Sequence, residues 1–238
     1  MKKIVGCVKR AVEEFNMIED GDVVGVGVSG GKDSSALLYA LRLYQNFSKA
    51  KFQIKALTLT LGFEGFDISP ITKFCNELGI EHVVVPTQIG KVIFEERKEK
   101  NPCSLCARMR RGRLHNLCKE LGVTKLALGH HADDAIQTLF LSMFYEGRLN
   151  TFEPVTYLDR KDLIMIRPLM YAYEKDIISS VDRHNIPVVE SPCPANKKTQ
   201  REYAKELIND IEKDIPNVKA NILRAMENKD QMYLWFKK

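Results

Sequence analysis

Cys103 and Cys106 are separated by two residues, and Cys193 lies far downstream in the irregular run Ser191-Pro192-Cys193-Pro194. Deprotonated thiols bind soft metal ions and act as nucleophiles. Asn101 and Pro102 suit a helix start, as N-cap and first residue. The two cysteines then fall in the first turns at i and i+3, on one face. A helix amino end with arginines close by predicts lowered thiol pKa values. Followed at helical spacing, that face carries Cys103, Cys106, Arg110, Leu114, Leu117 and Leu121. The leucines must face the core, so the sulfurs and Arg110 are expected to face a cleft, with Arg108 and Arg111 turned away. Cys118 stands 12 residues past Cys106, about 18 Å along a continuous helix, too far to share a site. Cys7, Cys75 and Cys118 read as core residues. Cys193 follows an expected strand, where a loop can reach the cleft. Three cysteines are one short of a closed zinc or iron–sulfur site, which leaves one metal position open. Zinc with His130 or His131 as a fourth ligand is the other arrangement these residues allow.

A second cluster follows the run Val23-Val24-Gly25-Val26-Gly27-Val28, which has no polar alternation and suits a strand buried on both faces. It runs into Ser29-Gly30-Gly31-Lys32-Asp33-Ser34-Ser35, and a helix begins there. Gly30 and Gly31 permit a tight turn and a close approach. Lys32 adds a positive charge. Ser34 and Ser35 add hydroxyls at the helix amino end, where free N–H groups attract anions. Together they make a phosphate cradle. It is neither a Walker loop nor a dinucleotide fingerprint, because the spacing of glycines required by each is missing.

These residues need elements to hold them. Strands are expected at Val23–Val28, Phe52–Leu61, His82–Pro86, Lys125–Leu128, Leu163–Arg167 and Pro187–Glu190. Helices are expected at Lys2–Ile18, after Ser35, at Ile71–Leu78, from about Ser104 to Leu121, through Ile136, Leu139, Phe140, Met143 and Phe144, at Glu174–Arg183, and in the tail from Gln200. This alternation predicts an α/β fold with a doubly wound parallel sheet in a single domain over 1–238, with an N-terminal helix and a C-terminal helical tail. Hydrophobic residues at 45% and charged residues at 28% exclude a disordered, collagen-like or membrane-embedded chain. The apolar run Ile4–Val8 stops at Lys9 and Arg10, unlike a secretory signal. The chain therefore reads as cytoplasmic, without a membrane partner, and its cysteines as metal or redox groups rather than bridges. A net charge of +5 permits a polyanionic partner without demanding one.

The run Ser29-Gly30-Gly31-Lys32-Asp33-Ser34 resembles the SGGxDS loop of the PP-loop, or N-type, ATP pyrophosphatases. That family splits ATP between the α- and β-phosphates and activates an oxygen as an adenylate. Four further stretches resemble its tRNA 2-thiocytidine synthetase (TtcA-type) branch. They are Pro102–Gly112 with the cysteine pair, Leu128-Gly129-His130-His131-Ala132-Asp133-Asp134, Gln137–Leu141 and Ile166-Arg167-Pro168-Leu169. Phe15-Asn16-Met17-Ile18 also fits.

The resemblance implies a fold of the PP-loop type, an ATP-dependent tRNA sulfurtransferase, and the position-32 cytidine as its base. It implies ATP held by Ser29, Gly30, Gly31, Lys32, Asp33, Ser34, Ser35, Thr58, Leu59, Gly129 and Asp134, with Mg²⁺ on Asp33. Asp134 would act as general acid or base, and Arg110 would steady the adenylate. A 4Fe–4S cluster would sit on Cys103, Cys106 and Cys193 and present sulfide. Arg108, Arg111, Arg113, Lys119, Lys197, Lys198 and Arg201 are candidate tRNA phosphate contacts. A sulfide or persulfide donor is implied, and dimerisation is an expectation that comes with the family. The rival readings are a tRNA lysidine synthetase-like ligase, an iron-free persulfide thiolase, and a non-enzymatic nucleotide-binding redox sensor.

Overall fold

Neither face of Val23-Val24-Gly25-Val26-Gly27 carries a polar side chain, so the segment belongs inside a sheet covered on both sides. In the computed structural model, which describes residues 1–97, 102–159, 162–193, 200–228 and 230, it forms β1 (Val23–Gly27). The other strands are β2 (Gln53–Thr60), β3 (Glu81–Pro86), β4 (Lys125–Ala127), β5 (Val155–Leu158) and β6 (Leu163–Ile166). Their order is β3-β2-β1-β4-β6-β5. Every pair is parallel except β5 with β6. The strand order reverses between β1 and β4, which opens a crevice outside their carboxyl ends.

Side-chain alternation along the strands feeds two apolar layers. Val24, Val26, Ile54, Ala56 and Ala127 join one cluster with α1 (Lys2–Glu14), α2 (Lys32–Gln45), α3 (Ser69–Glu77) and α7 (Glu174–Arg183). Leu57, Leu126 and Leu163 join a second with Leu117 and Cys118 of α5 (Pro102–Glu120). Helix α2 has Ala36, Leu37, Leu38, Ala40 and Leu41 all fully buried, a broad apolar face turned to the core. The short α4 (Ile89–Lys91) runs into a π-helical turn at Val92–Glu96.

The structure departs from the expected elements in four places. Pro187–Glu190 is not a strand; Val189 N–H instead donates to Gly30 O at 2.9 Å. The strand that completes the sheet is instead β5 (Val155–Leu158), along which β6 returns antiparallel as a hairpin arm. The first helix ends at Glu14, and Asn16 adopts a left-handed φ of 47° beyond it. The stripe from Ile136 to Phe144 also changes character. Helix α6 (Ala132–Leu141) passes into a π turn at Ser142–Glu146, whose wider winding rotates the later residues off the stripe. Ile136 is fully buried, but Met143 is 41% and Phe144 49% exposed.

By compactness the chain falls into two units, Met1–His131 with Glu153–Asn196, and Ala132–Phe152 with Lys197–Lys238. The first contains the whole sheet. In the second, α6 packs on α8 (Gln200–Asp214) and α9 (Val218–Glu227), burying Ile136, Ala204 and Ile208. Lys219 ties its helices together through Asp133 (3.1 Å) and Glu212 (2.8 Å). Among the described residues no helix is long and apolar enough to cross a membrane.

Leu38 sits at 0% exposure in the larger cluster. Leu38→Ala is expected to cost about 2–5 kcal/mol through the cavity it leaves. Urea denaturation followed by circular dichroism measures it.

Candidate active site at the carboxyl ends of the central strands

The loop after β1 is braced by its own side chains. Val28 N–H donates to Leu57 O at 2.8 Å as the sheet gives out. Gly30 then takes φ +89°, and a Cβ there would meet Val189 Cβ at 3.3 Å. Ser34 Oγ donates to Gly31 O (2.9 Å) and accepts from Ser29 N–H (3.2 Å). Gly31 N–H points at Ser29 Oγ (3.4 Å). Ser29 and Ser34 therefore hold the loop in shape, and the fully buried Ser35 faces inward. Ser35 Oγ is buried there without a hydrogen-bond partner. The backbone is open to an anion too: Gly31 caps α2 with no side chain bonded over the cap, leaving the first-turn N–H groups open.

Charge is organised around that loop. Lys32 Nζ stands 3.0 Å from both Asp33 Oδ2 and Glu174 Oε1. Burial pulls the Lys32 ammonium down, but Asp33 and Glu174 outweigh it and raise its pKa, so it stays charged. Asp33 Oδ1 is buried without a hydrogen-bond partner, 3.7 Å from His131 Nε2. A hard oxygen left over beside a phosphate cradle is the donor Mg²⁺ selects. Gly129, just past β4, reaches the same place. A Cβ on it would lie 3.1 Å from Asp33 C and Ser34 N. Thr58 is fully buried, and its hydroxyl is engaged by Val28 O and His82. Its side chain is thus closed to adenine, leaving the backbone around half-buried Leu59.

The cysteines meet at the same end of the sheet. Cys106 packs with Ile89, Ile93, Leu105, Met109 and with Leu61 just beyond β2. Its thiol lies within electrostatic reach of Cys103, Cys193 and Arg110. Burial pushes the Cys106 pKa up, and Cys103 and Cys193 add to that, against the lowering effect of Arg110. The expected lowering fails here because desolvation outweighs the arginine. Cys103 and Arg110 are exposed and Cys193 half-buried. Cys118 and Cys75 are fully buried, and burial drives their thiols up to about 12 and about 11. Cys7 donates to Tyr171 O at 3.5 Å. Among the described residues no three His, Cys, Asp or Glu side chains gather as a single-ion site. The zinc arrangement with His130 or His131 therefore finds no geometric support. A cluster takes each thiolate on a different iron, so its sulfurs need not converge on one point.

Asp134 belongs to the second unit, where its Oδ1 accepts from Arg201 Nη1 at 2.8 Å. That ion pair also engages one candidate phosphate contact. Arg108, Arg111 and Lys119 are exposed on α5, while Arg113 pairs with Glu120 at 2.8 Å. The charge of Arg111 is felt by Arg167, whose pKa falls to about 10, mainly through burial; Arg111 is thus not simply turned away. Asn101, Lys197 and Lys198 lie outside the described residues. Sequence reasoning did not single out Glu174 or His82, because both act through contacts distant in the chain. A weak signal for Glu174 existed, an acidic residue opening a helix.

Gly129→Ala pushes a methyl against fixed backbone at 3.1 Å. The expected result is an ATP affinity reduced about tenfold, the scale of a modest overpacking cost, with the melting transition retained. Isothermal titration calorimetry with ATP and Mg²⁺ checks it.

Residues 6–211 match the PP-loop domain family. The tRNA-cytidine(32) 2-sulfurtransferase of Geobacter sulfurreducens is 39% identical over 236 residues, covering 98% of this chain and 92% of that one. The protein of the same name from Vibrio cholerae is 38% identical over 92% of this chain and 71% of its own. Among solved structures, the U34-tRNA thiolase NcsA from Methanococcus maripaludis, with its 4Fe–4S cluster, superposes with a TM-score of 0.78 at 26% identity, over 99% of this chain and 80% of that one. An NH3-dependent NAD synthetase from Campylobacter jejuni shares the fold alone, with a TM-score of 0.54 at 16% identity over 99% of this chain and 98% of that one. On the match to the domain and the extent of these relatives, the chain belongs to the PP-loop family and, within it, to the tRNA-cytidine(32) 2-sulfurtransferases.

Proposed function

We propose that this chain is an ATP-dependent tRNA-thiolating transferase that replaces the 2-oxygen of the position-32 cytidine with sulfur. The observation that carries the reading is the run from Val189 to Cys193. Its first residue is bonded to the phosphate loop, and its last stands in electrostatic reach of Cys106. One segment thus joins a nucleotide cradle to a set of thiols. The names of the relatives and the cluster-bearing thiolase point the same way.

Oxygen leaves a pyrimidine ring poorly, so it must be activated first. The base oxygen attacks the α-phosphate of ATP, and pyrophosphate leaves. The open N–H groups at the start of α2 hold the departing phosphates, with charged Lys32 beside them. Asp33 Oδ1 fits Mg²⁺, which would neutralise charge developing on the phosphates. Arg110 steadies the adenylate. Cys103, Cys106 and Cys193 fit a 4Fe–4S cluster, since the set combines thiols, a partly apolar setting and an adjacent cation. When bound, such a cluster supplies a position for sulfide on the iron that no cysteine ligates. Sulfide then displaces AMP from the base, giving 2-thiocytidine. The tRNA docks through phosphate contacts on Arg108, Arg111 and Lys119, and the target base leaves its stack to enter the crevice. A sulfide donor, or a persulfide donor together with a thiol reductant that supplies two electrons and leaves as a disulfide, recharges the site.

Mass spectrometry of tRNA nucleosides from a strain lacking the protein tests this. 2-Thiocytidine is expected to vanish, to return with the native chain, and to stay absent with Cys193→Ser. Full complementation by Cys103→Ser would favour a lysidine synthetase-like ligase. Colourless, iron-free protein that still thiolates tRNA would favour persulfide transfer. ATP binding without AMP release in the presence of tRNA and sulfide would favour a redox sensor.

A further inference from the structure

The entry into the phosphate loop is set by side chains from β2, β3 and α3. Val28 is the last residue before the loop, and its C=O accepts from the Thr58 hydroxyl at 2.8 Å. A hydroxyl has one proton. With that proton on Val28 O, Thr58 Oγ1 can only accept from His82 Nε2, also 2.8 Å away, so Nε2 carries hydrogen. Nδ1 of the same ring is then the accepting nitrogen. Its donor is Thr72 Oγ1 at 3.0 Å, nearer than that hydroxyl's other acceptor, Ile68 O, at 3.4 Å. Burial depresses the His82 pKa and favours the neutral ring this pattern needs. Three hydrogen bonds therefore run in one direction, from Thr72 through His82 and Thr58 to Val28 O.

The Val28–Ser29 peptide has the loop on its other side. Ser29 N–H donates to Ser34 Oγ (3.2 Å), which donates to Gly31 O (2.9 Å). Rotating this peptide disturbs both bonds that brace the loop.

We infer that His82 is a positioning residue for ATP: it orients Thr58, and through it the peptide from which the phosphate-binding loop departs. The inference rests on the reading of Ser29–Ser35 as an ATP loop and extends that site to a residue on β3. His82 touches neither phosphate nor sulfur. Its effect belongs on nucleotide binding and pyrophosphate release, not on tRNA affinity or iron content.

The test is ATP binding with Mg²⁺, by calorimetry, for the full native chain, His82→Phe, His82→Gln, Thr58→Val and the variant carrying both His82→Phe and Thr58→Val. His82→Phe keeps the volume and loses both bonds; ATP affinity is expected to drop about tenfold, the scale of one buried hydrogen bond. His82→Gln places an amide N–H near the Nε2 position and restores most of the loss. The double variant is expected to be no weaker than the worse single one, because both act on one carbonyl. Iron content and tRNA affinity stay at native levels. Unchanged ATP affinity in His82→Phe overturns the inference, as does a fully additive double variant, or iron, tRNA and ATP binding all falling together. A native chain that binds no ATP overturns the loop reading itself, which is a separate result. If His82→Phe does not fold, the ¹⁵N-histidine spectrum of the native chain still decides: a neutral ring protonated on Nε2 supports the inference, and protonation on Nδ1 overturns it.

Discussion

The hydrogen bond from Val189 N–H to Gly30 O, 2.9 Å long, joins the glycine loop after β1 to the segment that carries Cys193. It exists because Gly30 takes a φ of +89°, a region that residues with a Cβ avoid. A Cβ on the same residue would press on Val189 Cβ at 3.3 Å. Cys193 follows four residues later, and a chain of that length spans at most about 14 Å. The third thiol is therefore tethered to the phosphate loop by covalent geometry, whatever the rest of the segment does. In the proposed reaction, substrate activation and sulfur delivery act on one base in succession, and this tether would keep the two within its reach.

Electrostatics at the two halves of the site follow different rules. Around the loop, paired charges win: Lys32 stays ionised because Asp33 and Glu174 outweigh its burial. Around Cys106, burial wins over Arg110 and holds the thiol protonated. A soft metal reverses that balance, since thiolate is the form it binds. The half proposed to meet phosphate is thus charged as it stands, while the thiol half would become so only on binding a metal. The orphaned Asp33 Oδ1 has the same character on the hard-ligand side.

Much of this was legible in the sequence, and the reasons are specific. Val23–Gly27 reads as an interior strand because no polar residue interrupts it, and the glycine loop follows from the strand-to-helix context. The helix bearing Cys103 and Cys106 is present from Pro102, the first described residue after Arg97. Three features were illegible for physical reasons. Pro187–Glu190 has strand-like residues, but its partner is one carbonyl of a turn, which periodicity does not encode. The π turn after Leu141 breaks the 3.6-residue spacing that the apolar stripe assumes. Burial of Cys106 depends on Ile89, Ile93 and Leu61 arriving from elsewhere, so the sign of its pKa shift was set by tertiary packing. Glu174 and His82 likewise act across distances that local spacing does not report.

The central claim is that one crevice holds both the nucleotide and a cluster on three thiols. An anaerobic crystal structure of the reconstituted chain with a non-hydrolysable ATP analogue tests it most directly. The account predicts Cys103, Cys106 and Cys193 on three corners of one iron–sulfur cluster, a fourth corner free of protein, and the analogue's phosphates on the amino end of α2. Finding the Cys193 sulfur apart from the other two, or the phosphates bound elsewhere, would contradict it.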